Sequence, residues 1–369
     1  MKKARLMFIA MTMSIPTMLF AQQGLKDAIG KYCLIGTSVN QHQSAGQDAR
    51  ATDVIRKHFN AVVAENCMKS GELQPTEGVF TFDMADKFVS YAKKNKQTPI
   101  GHCLVWHSQA PHWFFTDKDG KPVSRDVLIE RIRKHIATVV GHYKGKIHGW
   151  DVVNEAIEDN GSFRKSPLYN IIGEDFIEIA FKAAHKADPK AELYYNDFSM
   201  SKPGKRATVC RLVRKLKAAG CRIDAVGMQS HNSMDYPSMA EYEASIDSFA
   251  ACGVKVMMTE LDINVLPSPK RFTGGASIEQ NFEYQQKYNP YANGLPDEVA
   301  QQFGKRYMEM FNVYYKHRNQ ISRINLWGVS DANSWLNDWP MPGRTNYPLL
   351  FDRNYKAKPV VNEIINIYK

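Results

Sequence analysis

Residues 150–155 read Trp-Asp-Val-Val-Asn-Glu. Two adjacent β-branched residues in a short apolar run make a buried strand. The run stops on an amide and a carboxyl, Asn154 and Glu155, which have no place in a core. A second run, Val256-Met257-Met258-Thr259-Glu260, has the same form, an apolar strand ending in Glu. Either Glu alone reads as a strand-end ion pair. Two matching strand ends read as a working pair. One carboxyl as acid and the other as nucleophile or base is what cleavage of a glycosidic bond requires.

Working outward, six more runs of the same kind appear, giving eight: 33–39, 61–66, 98–106, 148–155, 192–198, 225–231, 254–261 and 321–329. Helical spacing fills the gaps. Ser124 caps a helix with Val127, Leu128, Ile132, Ile136 and Val139 on one face. The segment 175–187 places Phe176, Ile179, Ala180 and Ala183 inward and stops before Asp188-Pro189. A third helix starts near Pro203, ends at Gly220, and carries Val209, Leu212, Val213 and Leu216 inward. Others cover 239–251, 296–317 and 359–367.

Strand and helix alternate throughout, which argues for parallel strands with crossover helices. Eight such units close naturally as a single-domain (β/α)8 TIM barrel, an α/β fold. An open doubly wound sheet would carry a glycine-rich turn after its first strand, and Val39-Asn40-Gln41 is nothing like one. The long segment 267–296, rich in Gly, Asn, Tyr and Gln, falls after the seventh strand, on the side where βα loops shape a site.

The first residues read differently. Lys2, Lys3 and Arg5 precede an apolar run from Leu6 to Phe20, with Ala21 offering a cleavage point. This is the form of a signal peptide over 1–21, so the expectation is export, periplasmic or secreted, with 22–369 as the catalytic domain. Its removal leaves 348 residues and lowers the net charge from +10 to +7. The remaining basic residues spread over helix faces such as 125–134 and 202–217. They are not clustered with exposed aromatics, so no nucleic-acid partner is expected, nor a membrane span or a lipid anchor. A monomer is expected. None of the spacings among Cys33, Cys67, Cys103, Cys210, Cys221 and Cys252 matches a zinc pattern. Cys33 and Cys103 fall in strands as buried thiols, and Cys221 and Cys252, each preceding a strand, are possible neighbours.

In a barrel, polar groups at the C-terminal ends of strands face the site. Glu65, Asn66 and Lys69 follow the second strand, and His102 and Trp106-His107-Ser108-Gln109 the third. Asn154-Glu155, Tyr195-Asn196-Asp197, Gln229-Ser230-His231 and Glu260-Leu261-Asp262 end the next four. Trp327, Asp331, Asn333 and Trp335 follow the last. Seven strands thus bring polar or aromatic groups to one rim. Amides, carboxylates and imidazoles for hydroxyls, with flat aromatic faces for C–H surfaces, suit a sugar. Trp113, Trp150 and Trp339 read as core. His102, His107 and His112 recur every five residues, which on a strand alternates faces, so neither metal nor cofactor is expected. Ser108 and Ser230 lack a nucleophile-elbow setting.

On the motifs GHCLVWHSQAPHW (101–113), WDVVNEA (150–156), YYNDF (194–198), GMQSH (227–231), TELD (259–262) and LWGVSDANSWL (326–336), the chain resembles the endo-β-1,4-xylanases of glycoside hydrolase family 10. The motifs run in order along essentially the whole mature chain. The resemblance implies retaining hydrolysis of internal β-1,4 bonds in xylan, with Glu155 as acid/base and Glu260 as nucleophile. Their carboxyl groups would then be about 5–5.5 Å apart.

It also implies that Asn154 bonds the sugar 2-hydroxyl and that His231, held by Asp262, orients Glu260. Glu65, Asn66, Lys69, His102, Trp106, Gln229, Trp327 and Trp335 would line the glycone subsites, and Tyr195 would touch the aglycone side. Phe198 stands where many members have Tyr. Two alternatives stay open: a β-glucanase or cellulase-type barrel with the same carboxylates, and a non-catalytic carbohydrate-binding barrel.

Overall fold

The computed structural model describes residues 23–269 and 281–369. The leader expected over 1–21 and the middle of the 267–296 segment lie outside them. The strands are β1 (Leu34–Val39), β2 (Ala61–Ala64), β3 (Thr98–Val105), β4 (Gly149–Asn154), β5 (Glu192–Asp197), β6 (Ala225–Met228), β7 (His231–Ser233), β8 (Lys255–Asn264) and β9 (Ile321–Leu326). Successive strands pair in parallel from β1 to β6, β6 pairs β8, β8 pairs β9, and β9 returns to β1. Eight strands therefore close the barrel expected from the alternation.

One of the eight runs is divided. The run read as a single strand over 225–231 is two strands, because Ser230 takes φ +66°. β7 restarts beyond that kink and pairs β8, His231 opposite Asp262. β8 in turn runs three residues past the expected end at Leu261. That extension is what sets Asp262 beside His231.

Helices Arg125–His142, Asp175–Ala187, Pro203–Ala218, Met239–Ala250, Asp297–Lys316 and Val360–Ile367 match the helical segments read from spacing. Two unnamed helices, Ala49–His58 and Asp83–Lys94, complete the early units; Asp48 caps the first by accepting from the Ala51 N–H at 2.9 Å. Two faces differ from expectation. Val127, in the first turn beside its Ser124 cap, is exposed. In Asp175–Ala187 the buried stripe is Phe176, Ile177, Ala180, Phe181 and Ala184, with Ile179 and Ala183 only partly covered. The stripe is rotated because both large groups, Ile177 and Phe181, sit one turn apart on the same side.

The core has two parts. The larger lies between strands and helices. A smaller one fills the barrel interior with Val63, Ile100, Tyr194, Ala225, Met257 and Trp327. Trp335 packs against that inner core, so it passes directly into the rim. Trp150 is buried as expected and lies flat across β3, because a Cβ on Gly101 would sit 2.1 Å from its ring. The inside also holds a polar layer, with Asp151 2.9 Å from His102 and 3.9 Å from Arg323.

All six cysteines are buried free thiols. The cysteine that Cys252 meets is Cys210. Cys252 Sγ lies 3.9 Å from the Cys210 carbonyl, and both thiols face the Ser248 carbonyl, because Cys210 sits on the side of its helix that meets Met239–Ala250.

Candidate active site

β4 and β8 deliver the two carboxyls. Glu155 follows Asn154 directly and takes φ +58°, a left-handed conformation that costs a residue with a Cβ about 1–3 kcal/mol. It is held there by backbone bonds on both sides. Its N–H donates to the Asn196 carbonyl at 2.9 Å, and its own carbonyl accepts from Arg164 Nε at 3.0 Å. Its carboxyl turns inward, accepting from Gln229 Nε2 at 2.8 Å and Trp106 Nε1 at 3.0 Å. Burial, then the nearby Asp197 charge, raises its pKa to about 7; the Gln229 and Trp106 bonds and Glu260 add smaller effects.

Glu260 sits in the opposite regime. Burial opposes its charge too, but the hydrogen bond from His231, the positive field of His102 and His231, and the Asn196 bond outweigh it. Its pKa is lowered. His231 Nε2 lies 3.1 Å from Glu260 Oε2, and Nδ1 lies 3.0 Å from Asp262 Oδ2. Burial alone would strip this imidazole of its proton. The charge and hydrogen bond of Asp262, joined by those of Glu260, instead raise its pKa to about 10. Both ring nitrogens therefore donate at neutral pH. Asp262 Oδ2 also accepts from Trp335 Nε1 at 2.8 Å, which ties the indole to the same cluster.

The two carboxyls are joined by amides. Asn196 Nδ2 donates to Glu260 Oε1 at 2.8 Å and to Asn154 Oδ1 at 2.9 Å. Gln229 Nε2 donates to Glu155 Oε1 and, at 3.3 Å, to the same Asn154 oxygen. Asn196 Oδ1 accepts from Thr259 Oγ1 at 2.6 Å, so its amide orientation is fixed.

The flanking wall is equally bonded. Lys69 Nζ donates to Asn66 Oδ1 at 2.8 Å and Gln109 Oε1 at 2.7 Å, and stands 5.1 Å from the Trp106 ring centre. His102 packs edge-on to Trp327, 5.4 Å between ring centres. A cavity of about 120 Å³ is enclosed by Glu65, Asn66, Lys69, His102, Trp106, Gln109, Asn154, Glu155, Gln229, His231, Glu260, Trp327 and Trp335. The eight residues expected to line the glycone subsites therefore all border one cavity.

Tyr195, expected on the aglycone side, does not border this cavity. It is fully buried, donating to Asp197 Oδ2 at 2.6 Å and accepting from the Ala156 N–H at 3.2 Å. It supports the chain just after Glu155 rather than reaching a ligand, because its position on β5 points it into the outer core. Asp331 also leaves the rim, buried in an ion pair with Lys358 at 2.8 Å. Trp339 is not core: it is partly exposed and stacks on Trp335 at 4.5 Å. Sequence reasoning passed over Asn196 and Gln109 as contributors. Both were visible as polar residues at strand ends, but nothing in the chain order shows which carboxylate or ammonium each meets. Among the described residues no group of three or more His, Cys, Asp or Glu is arranged to hold a metal ion.

A closed parallel barrel that presents two carboxyls to a single aromatic-walled cavity, the pKa of one raised and that of the other lowered, defines a glycoside hydrolase of the two-carboxylate class. Residues 24–367 match the model of glycosyl hydrolase family 10, and the chain belongs to that family. It is 57% identical over 348 residues to endo-1,4-β-xylanase A of Xylanibacter ruminicola, covering 94% of each chain. Among solved structures it is similar to a GH10 endoxylanase retrieved from a sugarcane soil metagenome, with 44% identity and a TM-score of 0.89, over 94% of this chain and 100% of that one. It is also similar, at 37% identity and a TM-score of 0.80, to a mutant of the intracellular xylanase of Thermoanaerobacterium saccharolyticum in complex with xylotriose, over 94% and 99% of the two chains.

Proposed function

We propose that this chain is an endo-acting, retaining hydrolase of internal β-1,4-xylosidic bonds in xylan. The observation that carries the reading is that two carboxyls of one cavity have oppositely shifted pKa values, Glu155 raised to about 7 and Glu260 lowered. Glu260, ionised and aimed by His231 and Asn196, attacks the anomeric carbon. Glu155, protonated, delivers its proton to the departing glycosidic oxygen, and the glycosyl–enzyme ester forms. Glu155, now a carboxylate, takes a proton from water as that water attacks the ester carbon and frees Glu260. In this reading Asn154, held by Asn196 and Gln229, bonds the sugar 2-hydroxyl.

The naming of the relatives supports xylan. So does the cavity floor, where Lys69 and Trp335 are each fixed by hydrogen bonds in a small volume. A pentose without a hydroxymethyl group suits that space better than glucose. Export through the leader and a monomeric mature chain belong to the same proposal. Among the described residues the exposed large hydrophobics are only Tyr32, Val79, Val127 and Tyr284, which supports a monomer. The test is product analysis with arabinoxylan, cellulose and mixed-linkage β-glucan. Short xylo-oligosaccharides with little release from the glucans are expected. Equal or greater activity on the glucans would overturn the substrate assignment and leave the two carboxyls in place.

A further inference from the structure

The backbone that follows Glu155 is caught by β5 one amide at a time. The Glu155 N–H donates to the Asn196 carbonyl at 2.9 Å, the Ala156 N–H to the Tyr195 hydroxyl at 3.2 Å, and the Ile157 N–H to Asp197 Oδ2 at 3.3 Å. Three consecutive amides thus meet three consecutive residues of one neighbouring strand. They hold the bend at which Glu155 takes φ +58°. Tyr195 and Asp197 are themselves joined, the hydroxyl donating to Asp197 Oδ2 at 2.6 Å.

Asp197 is fully buried and does not border the catalytic cavity. Its Oδ1 accepts from the Phe198 N–H at 2.9 Å and from Lys205 Nζ at 2.9 Å. Lys205 comes from the helix Pro203–Ala218 and is fully buried too. Its Nζ also donates to the Phe198 carbonyl at 2.9 Å, lies 3.4 Å from Asp159 Oδ1 and stands 4.0 Å from the Phe198 ring centre. Asp159 is shared with Lys202. An ion pair sealed from water costs much desolvation, so stability alone is a weak reason for one.

Its place supplies a better reason. The interior between Asp197 and Glu155 screens charge poorly, and after burial the Asp197 charge is the largest influence raising the Glu155 pKa. Lys205, on the other oxygen of Asp197, offsets part of that charge. The other titratable groups about Glu155 act differently. Glu65, Lys69, His102, His231 and Glu260 border the cavity, so their surroundings change when substrate fills it. Burial keeps Tyr195 and Cys103 protonated. Arg164 holds the Glu155 carbonyl and pairs with Glu158 at 3.3 Å. Asp197 and Lys205 face neither cavity nor solvent, so their field on Glu155 is the same with the cleft empty or full.

We propose that Asp197 and Lys205 are positioning residues for the acid/base: Asp197 clamps the backbone that presents Glu155, and the two charges together set the upper pH limit of the reaction from outside the cavity. The proposal rests on the reading of Glu155 as acid/base and adds what fixes its place and its proton.

The test is the pH dependence of kcat/KM on xylotetraose for wild type, Asp197→Asn and Lys205→Met. Asp197→Asn keeps an oxygen for the Ile157 N–H and removes the negative charge, so the basic limb should move to lower pH by about one unit. Lys205→Met removes the offsetting positive charge. Asp197 stays ionised on its bonds from Tyr195, Ile157 and Phe198, so the basic limb should move to higher pH. The position of a limb does not depend on how much of a preparation is folded, so either variant by itself decides the sign. A merely structural role would lower the rate at every pH and leave the limb in place. A basic limb unmoved, or displaced the other way, in either variant would overturn the proposal. No cleavage of xylotetraose by wild type, or a basic limb that persists in Glu155→Gln, would instead overturn the reading of Glu155.

Discussion

Asn196 holds Glu260 and Asn154 with the two hydrogens of one amide, at 2.8 and 2.9 Å. Through Asn154 and Gln229 that amide is connected to Glu155, so the nucleophile and the acid/base share one rigid frame. Asn196 is wholly buried, and Thr259 fixes which way it faces.

Asn196→Ala should therefore lower kcat more than it raises KM. A loss of about 10²-fold in kcat is expected, the scale for a donor aimed at reacting charge. Steady-state kinetics on xylotetraose would read it. Thermal melting should show destabilisation of about 1–3 kcal/mol from the partners left unsatisfied.

The pH profile follows from the two carboxyls. Glu155 must be protonated to act, so activity should fall as pH rises past about 7. Glu260 must be ionised, so the acidic limb should lie below the ordinary carboxylate range. Glu155→Gln should abolish the basic limb and cut turnover of xylan by about 10²–10⁴-fold, with a smaller loss on an aryl xylobioside whose leaving group needs no proton.

The same shift has a signature in stability. A carboxyl whose folded pKa is raised from 4.5 to about 7 leaves the folded state unpenalised at low pH and destabilises it as pH rises between those values. Relative to wild type, Glu155→Gln should gain stability between pH 4.5 and 8, by up to about 3 kcal/mol. Melting curves of both proteins across that range would test the sign, whatever constant offset the lost Trp106 contact introduces.

His231 works the other way. Its folded pKa of about 10 against an ordinary 6.5 gives stability that is complete below pH 6.5 and is lost as pH rises toward 10. His231→Ala should remove that dependence. It should also move the acidic limb of kcat/KM to higher pH, since the proton that favours the Glu260 carboxylate is gone.

The barrel was legible because its signals are local: apolar runs at regular intervals, each closed by polar residues and followed by helical spacing. Glu155 and Glu260 stood out on the same ground. What lay beyond reach was partnership across the barrel. Tyr195 and Asn196 are neighbours on one strand, and alternation sends the first into the outer core and the second to Glu260. Chain order does not show which face is which when both are buried. The kink at Ser230 was equally hidden, since a left-handed serine leaves no mark in composition. Trp339 read as core for lack of its stacking partner, Trp335.

The most direct test of the central claim is to trap the covalent intermediate. The enzyme would be incubated with a 2-deoxy-2-fluoro-xylobioside bearing an activated leaving group, then digested and mapped by mass spectrometry. One fluoroxylobiosyl label per chain, on the peptide containing Glu260, is the result this account requires. A label on Glu155 or on any other residue would contradict the assignment of the nucleophile and, with it, the division of labour between the two strand ends.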